Sequence, residues 1–304
     1  MINRKTYCSN CGKNGHYAKI CPEPSISTGI LIIKLEDDIK NILTDTNEIK
    51  NRYEEINNFN YERLCNLNKL ELYKDKIKFL LIERKHSLNY IEFIRGLYDP
   101  YDLTKLNKMF KLMSKQEISN IKTKNFDKLW NDLWLKTAKK KIYKKEYTSS
   151  NNKFNIIKNN GSLNSLLLSG TFYDSPEWEI PKGRRNNFET NLECATRELF
   201  EETSLEESDY ILLNNFFSLH DEFIGTNGNN YKHIYYIGVL NSEKNLDLIN
   251  NSEVNKAKFV NIEDAVHLIR NYYESKIHIL NKVFLFFLNV CEDNINDKVK
   301  NLII

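Results

Sequence analysis

The sequence predicts an α/β/α sandwich about a mixed sheet, with a helical body interrupting its strands and a small metal-held module at its start. Three observations predict it. Runs rich in β-branched and aliphatic residues at Ser27–Leu35, Lys76–Lys85 and Tyr231–Leu240 read as strands set among stretches of helical period. Between the second run and Trp178 lie about ninety residues that hold few Gly or Pro and several helical patterns. Ahead of all of them, Cys8, Cys11, His16 and Cys21 are spaced C-x2-C-x4-H-x4-C.

Composition narrows the class. At 304 residues the chain suits one large domain or two, and hydrophobics at 41% are enough for a real core. A net charge of +3 is close to neutral, so nucleic-acid affinity has to come from local patches. Cys65, Cys194 and Cys291 are scattered, which is no disulfide framework, and a reducing compartment is expected. The amino end, MINRKTYCSN, lacks the apolar core of a signal peptide, and no run is long enough to span a bilayer. A soluble intracellular protein without membrane contact is expected. Oligomeric state is not legible.

Three thiolates and an imidazole at the spacing of residues 8–21 close a tetrahedral Zn²⁺ site. So short a segment has no core, so the metal supplies its folding energy. With Gly12, Lys13 and Gly15 in place, it resembles the retroviral-type zinc knuckle, which implies single-stranded nucleic-acid binding. Ser9 stands where many such knuckles carry an aromatic, leaving Tyr17 as a partial platform. The expected module is residues 1–25, and its removal is expected to leave the rest folded.

Residues 26–85 hold the first two strands, separated by a charged, Asn-rich excursion at 36–72. Helical patterns follow at Leu88–Tyr98, Leu103–Met113, Glu117–Ile121 and Phe126–Leu135, giving an inserted helical subdomain over 86–150. Its end is basic, with Lys139, Lys140, Lys141, Lys144 and Lys145 interleaved with Tyr143 and Tyr147. That is either a solvated helix end or a polyanion-binding surface. Ser149–Asn152 and Asn159–Gly161 read as loops. The catalytic core is expected over 151–304, with strands at Tyr231–Leu240 and Ala257–Val260 and helices at Ile262–Tyr273 and Ile277–Val290.

The chemistry is concentrated between Trp178 and Leu205. Phe188–Thr203 has helix chemistry, with Leu192, Ala195 and Leu199 as an apolar seam. Glu198, Glu201 and Glu202, at i, i+3 and i+4, share one face. Three like charges repel, and a divalent cation with oxygen ligands, Mg²⁺ or Mn²⁺, removes the conflict. A plain solvated acidic face is the alternative. Arg197 reaches Glu189 only if the helix begins late and the chain folds over.

Gly183, Glu189, Arg197, Glu198, Glu201 and Glu202 together resemble the Nudix box, G-x5-E-x7-R-E-U-x-E-E-x-G-U. One position departs. Ser204 replaces the glycine of a turn that needs positive φ. The resemblance implies a metal-dependent pyrophosphohydrolase, with Arg197, Glu198, Glu201 and Glu202 catalytic. W-E-I-P-K-G, with Lys182 before Gly183, and the segment Ser252–Phe259 resemble mRNA-decapping Nudix proteins, whose downstream Glu, here Glu253, serves as general base or metal ligand. ERKHSLNYIEFIRGLY, FDKLWNDLW and YKHIYYIGVL, in that order, are similar to the decapping proteins of large cytoplasmic DNA viruses of the asfivirus and poxvirus type. Capped RNA is the implied partner, with action in the host cytoplasm and packaging in the virion as a further expectation.

A cationic, flat methylguanine favours aromatic faces and an acidic group on its edge. Tyr90 and Tyr235 are candidates for the first, Asp221 or Glu222 for the second, and Lys182, Lys140 and Lys144 for phosphate contacts. Each tyrosine reads more readily as an ordinary core aromatic, and His220 and His233 read as structural. Two other functions fit the residues: hydrolysis of diphosphoinositol polyphosphates, and a non-enzymatic RNA-binding module acting through the knuckle.

Overall fold

A computed structural model describes residues 6–36, 71–134, 141–213, 218–225, 228–244, 246 and 251–302. The charged excursion therefore falls almost wholly outside the described residues, as do Lys139 and Lys140. Two compact units are present: Met1–Ile82 with Trp178–Ile249 and Lys256–Ile304, and Glu83–Glu177 with Asn250–Asn255.

The first unit is built on an eight-stranded sheet whose path runs β3 (Trp178–Glu179), β2 (Ile77–Arg84), β1 (Ser25–Leu35), β7 (Asn230–Leu240) and β5 (Tyr210–Leu212). Off this path, β4 (Lys182–Gly183) pairs with β1, β6 (Leu219–Ile224) with β7, and β8 (Val254–Val260) with β2. The sheet is mixed because β1 and β7 run parallel, from Ser25 opposite Tyr231 to Ile33 opposite Val239, while β2, β4, β5 and β6 pair antiparallel. A strand covered on both faces needs an unbroken apolar run, and Ile30, Leu31, Ile32 and Ile33 are all fully buried.

Alternate side chains of β1 serve two cores. Leu31, Ile33 and Leu35 join Ile279, Leu280, Val283, Phe284 and Phe287 of α9 (Glu274–Leu302), with α8 (Ile262–Leu268) beside them. On the opposite face α7 (Asn191–Thr203) packs against β1, burying Cys194, Ala195 and Leu199. This is the expected sandwich. The last helices divide differently from the expectation of 262–273 and 277–290. Ile269 is extended, Tyr273 N–H bonds Arg270 C=O at 2.9 Å, and one long helix then starts at Glu274.

The second unit is helical, with α1 (Leu88–Ile94), α2 (Leu103–Leu112), α3 (Lys115–Thr123), α4 (Phe126–Trp134), α5 (Lys141–Asn159) and α6 (Ser162–Leu168). Phe93 is the centre of its own core, within 5.0 Å of Phe110 and 5.2 Å of Tyr98 between ring centroids. Buried Glu117 ties two helix starts: it accepts from Ser87 N–H and Oγ at 2.7 Å each and from Ser114 N–H at 2.8 Å. Ser149–Asn152 is not the expected loop but the middle of α5. Local Ser and Asn turn chemistry loses there to burial, since Ser150 is 1% exposed and its Oγ bonds Glu146 C=O. Lys153 then holds Gly96 and Tyr98 C=O at 2.8 and 2.7 Å.

Candidate functional site

The acidic helix begins later than its apolar seam suggests. Phe188 sits at φ 69°, outside helical space, and Thr190 is the N-cap. Thr190 Oγ1 accepts from Glu193 N–H at 3.2 Å, and Glu193 accepts from Thr190 N–H at 2.7 Å, a capping box. The late start frees residues 184–189 to fold back along the helix. Glu189 then meets Arg197 through both oxygens, at 2.6 Å from Nε and 3.0 Å from Nη2. The Arg197 guanidinium holds the Glu189 carboxyl down at about 2, and Glu189 in return raises Arg197.

Arg197 Nη1 donates to Glu198 at 2.7 Å and to Glu201 at 3.1 Å, and Nη2 to Arg184 C=O at 2.9 Å. One guanidinium therefore orients two of the acidic side chains. Glu202 is 6% exposed and accepts from Lys182 N–H at 2.9 Å. Gly183 is fixed by packing: a Cβ there would lie 1.9 Å from the Glu198 carboxyl carbon. At the helix end Ser204 takes the left-handed conformation, φ 60°, that its position demands.

Sequence reasoning missed the charges beneath this face. Glu179, 3% exposed, pairs with Lys182 Nζ at 2.5 Å and with Lys276 Nζ at 3.6 Å, and Lys276 lies 3.9 Å from the Tyr273 ring centre. The signal was present, since Glu179 precedes Lys182 by three residues within W-E-I-P-K-G. Lys182 is thus engaged inside the fold rather than presented at its surface. Asp221 is buried, with Oδ2 3.3 Å from His233 Nδ1. Burial pushes His233 down to about 4, so it is neutral and structural. Glu222 is exposed and pairs with Lys232.

Both candidate stacking rings are core residues. Tyr235 is wholly buried, its hydroxyl 3.2 Å from His233, and Tyr90 is 1% exposed with its ring stacked on His86. Rings so enclosed present no free face to a purine. Tyr90 and Glu253 belong to the helical unit, where Glu253 C=O accepts from Lys85 N–H at 2.7 Å. Lys144 lies in α5, and Lys140 lies outside the described residues.

Cys8, Cys11, His16 and Cys21 bring their ligand atoms within 4.8 Å of one another, the group among the described residues that converges as a metal site. Tetrahedral Zn–S bonds of about 2.3 Å require sulfur atoms roughly 3.8 Å apart, which fits. Burial opposes it, yet the Asn10 amide and His16 bring the Cys21 thiol down to about 6, toward the thiolate a metal needs. Around the box the donors are carboxylates only, the chemistry that suits hard divalent cations.

This sheet, acidic helix and Arg–Glu brace define a Nudix hydrolase, and the chain belongs to the Nudix family. The NUDIX domain model matches residues 152–283, and the zinc knuckle model matches residues 7–23. A protein of Acanthamoeba polyphaga mimivirus described as "Putative mRNA-decapping protein" is 32% identical, covering 97% of this chain and 98% of its own length. The mRNA-decapping protein g5R of African swine fever virus, Kenyan pig isolate, is 32% identical over 71% of this chain and 90% of that protein. A C. elegans Ap4A hydrolase binary complex aligns over 87% of this chain and 98% of its own, at 12% identity and a TM-score of 0.40. Nudix domains use divalent cations, and no helix among the described residues is long and apolar enough to cross a membrane.

Proposed function

We propose that the protein hydrolyses the cap of messenger RNA, releasing methylated guanosine diphosphate and RNA with a 5′-monophosphate. The carrying observation is the box face, where Arg197, held by Glu189, orients Glu198 and Glu201 while Glu202 is pinned by Lys182 N–H. Likeness over 97% of the chain to one protein named for decapping, and over 71% to another, supports the substrate. A divalent cation held here, Mg²⁺ or Mn²⁺, would neutralise the pyrophosphate charge and would make water a better nucleophile. The residues for it are Glu198, Glu201 and Glu202, with Arg197 and Glu189 fixing their rotamers. Water adds to phosphorus as the bridging P–O bond breaks, and its proton passes to a carboxylate, for which Glu253 is our choice. Cys8, Cys11, His16 and Cys21 are our choice for Zn²⁺, and the host cytoplasm is our choice for the reaction.

The test offers cap-labelled RNA with Mg²⁺ or Mn²⁺ and identifies the released nucleotide. Methylated GDP is expected. Release of methylated GMP, or turnover confined to diphosphoinositol polyphosphates, would sink the reading.

A further inference from the structure

The first unit contains a second polar feature, a cleft of about 550 Å³ whose one wall is the knuckle and whose other is the box loop with the start of β7. The walls are joined by specific contacts. Arg185 Nη2 donates to Asn10 C=O, between Cys8 and Cys11, and its guanidinium lies so close to Gly12 that a Cβ there would be 2.7 Å from Nη1. Gly12, at φ 76°, suits both that approach and the turn. Behind Arg185, the Phe188 ring stacks on Tyr7 with centroids 4.6 Å apart. Asn10 fastens the same wall to the sheet: its amide donates to Pro24 C=O at 2.8 Å and accepts from Ile26 N–H at 2.8 Å.

The cleft's charge is one-sided. Lys19 on the knuckle and Arg184 on the loop line it, and among the described residues neither is in an ion pair. Its one acidic lining residue, Glu23, is held by Lys13 at 2.8 Å. Arg185 Nε is buried without a hydrogen-bond partner among the described residues, a donor left for an incoming anion oxygen. Asn229, Asn230 and Tyr231 complete the far wall, with Tyr231 stacked on Phe223. Beside the rim, Tyr17 and Ile20 of the knuckle are 67% and 69% exposed, apolar faces turned to solvent. Unpaired cations, amide donors and bare apolar faces together are what a single strand uses, its phosphates and its unstacked bases.

Position supplies the rest. Arg184 directly follows Gly183, whose backbone lies against the Glu198 carboxyl, so the cleft starts about 3.8 Å of chain from the box. We propose that this cleft binds the single-stranded RNA segment next to the reacting 5′ end, so that knuckle and box loop form one composite site. The proposal rests on the decapping reading for its substrate, but binding is measured without cleavage.

The probe is an uncapped, 5′-monophosphorylated ten-nucleotide single-stranded RNA, titrated by anisotropy against the intact zinc-loaded chain over a range of salt. Lys19→Gln with Arg184→Gln should weaken binding at least tenfold and lower the salt slope by roughly 1.4, about 0.7 per lost charge. Tyr17→Ala should weaken it severalfold further. Zinc content and the melting midpoint of each variant establish that the knuckle is intact. Unchanged affinity and slope in a folded, zinc-replete double variant overturn the proposal. So does equal loss of inositol hexakisphosphate binding with no dependence on RNA length, which would make the cleft a general phosphate site. RNA bound in the cleft by a chain that leaves cap-labelled RNA intact would keep the cleft and discard the decapping reading.

Discussion

Arg197 has more to lose than any single glutamate, because it bridges Glu189, Glu198 and Glu201 at once. Glu189→Gln keeps the shape and removes the charge, so turnover should fall tenfold to a hundredfold with the helix intact, as for other groups that orient metal ligands. The same bond should show in acid stability. The folded pKa of about 2 lies below the ordinary 4.5, so this stabilisation is full above about pH 4.5 and lost as pH falls through about 2. Urea melts of wild type and Glu189→Gln should therefore converge as pH is lowered through that window. If they stay equally far apart throughout, Arg197 is not reading the Glu189 charge. Glu201→Gln and Glu202→Gln should each reduce kcat by orders of magnitude. Glu202 should also lower the melting point, since its carboxylate is buried on Lys182 N–H. Near-wild-type rates in both would remove the box from catalysis. Glu253→Gln should lower kcat with little effect on RNA binding and flatten one limb of the pH–rate profile. A profile merely scaled down would make Glu253 a ligand or a structural group.

At the scale of elements, how legible a segment was depended on what fixed it. β1, β2 and β7 were plain because their aliphatic runs are buried on both faces, and their observed bounds lie within two residues of the expected ones. The acidic helix ended as read, with Ser204 at positive φ, but its start was misplaced because Leu192 and Phe188 suggest one seam. The cap at Thr190 decides it. Ser149–Asn152 misled for the opposite reason, as their local preference is overruled by the burial of Ser150 against Gly96, remote in sequence, and by the adjoining Lys153, which holds Gly96 and Tyr98 C=O. The two tyrosines proposed as stacking rings had no sequence signal separating them from core, and burial puts both in the core. Because Thr190 sets where the box loop folds back, Thr190→Ala should cost about 1 kcal/mol of stability. It should also lower hydrolysis of a cap dinucleotide, whereas Thr190→Ser should restore both. Loss of stability with no change in rate would show that Arg197 can hold Glu189 without the cap.

At the scale of the whole molecule, the knuckle was legible as a metal site and illegible as a neighbour. Its four ligands are local in sequence, but Asn10 meets Arg185 across 175 residues, and no pattern in either segment announces the other. The expectation that removal of residues 1–25 spares the rest stands as a proposal, and the contacts of the knuckle with the loop that carries Glu189 bear on it. That loop is strained at Phe188, a non-glycine at φ 69°, and such a conformation persists only where its surroundings hold it. On one side it is held by Arg197 bonding Glu189 and Arg184 C=O, on the other by Asn10, Gly12 and Tyr7. Arg185→Ala cuts the second hold and leaves all four zinc ligands in place. The variant should keep one zinc per chain yet exchange amide hydrogens across residues 184–190 at least tenfold faster, in the absence of RNA. Chelation of zinc from the wild type should give the same faster exchange, because Asn10 loses its frame when Cys8 and Cys11 are released. Arg185→Lys should not rescue it, since an ammonium cannot fill the flat space against Gly12 while reaching Asn10 C=O. Cap-dinucleotide hydrolysis should fall severalfold in step with the exchange, the loosened loop having let Glu189 and Arg197 drift. Unchanged exchange after both Arg185→Ala and zinc removal would mean that the knuckle only rests on the loop and that the box stands without it.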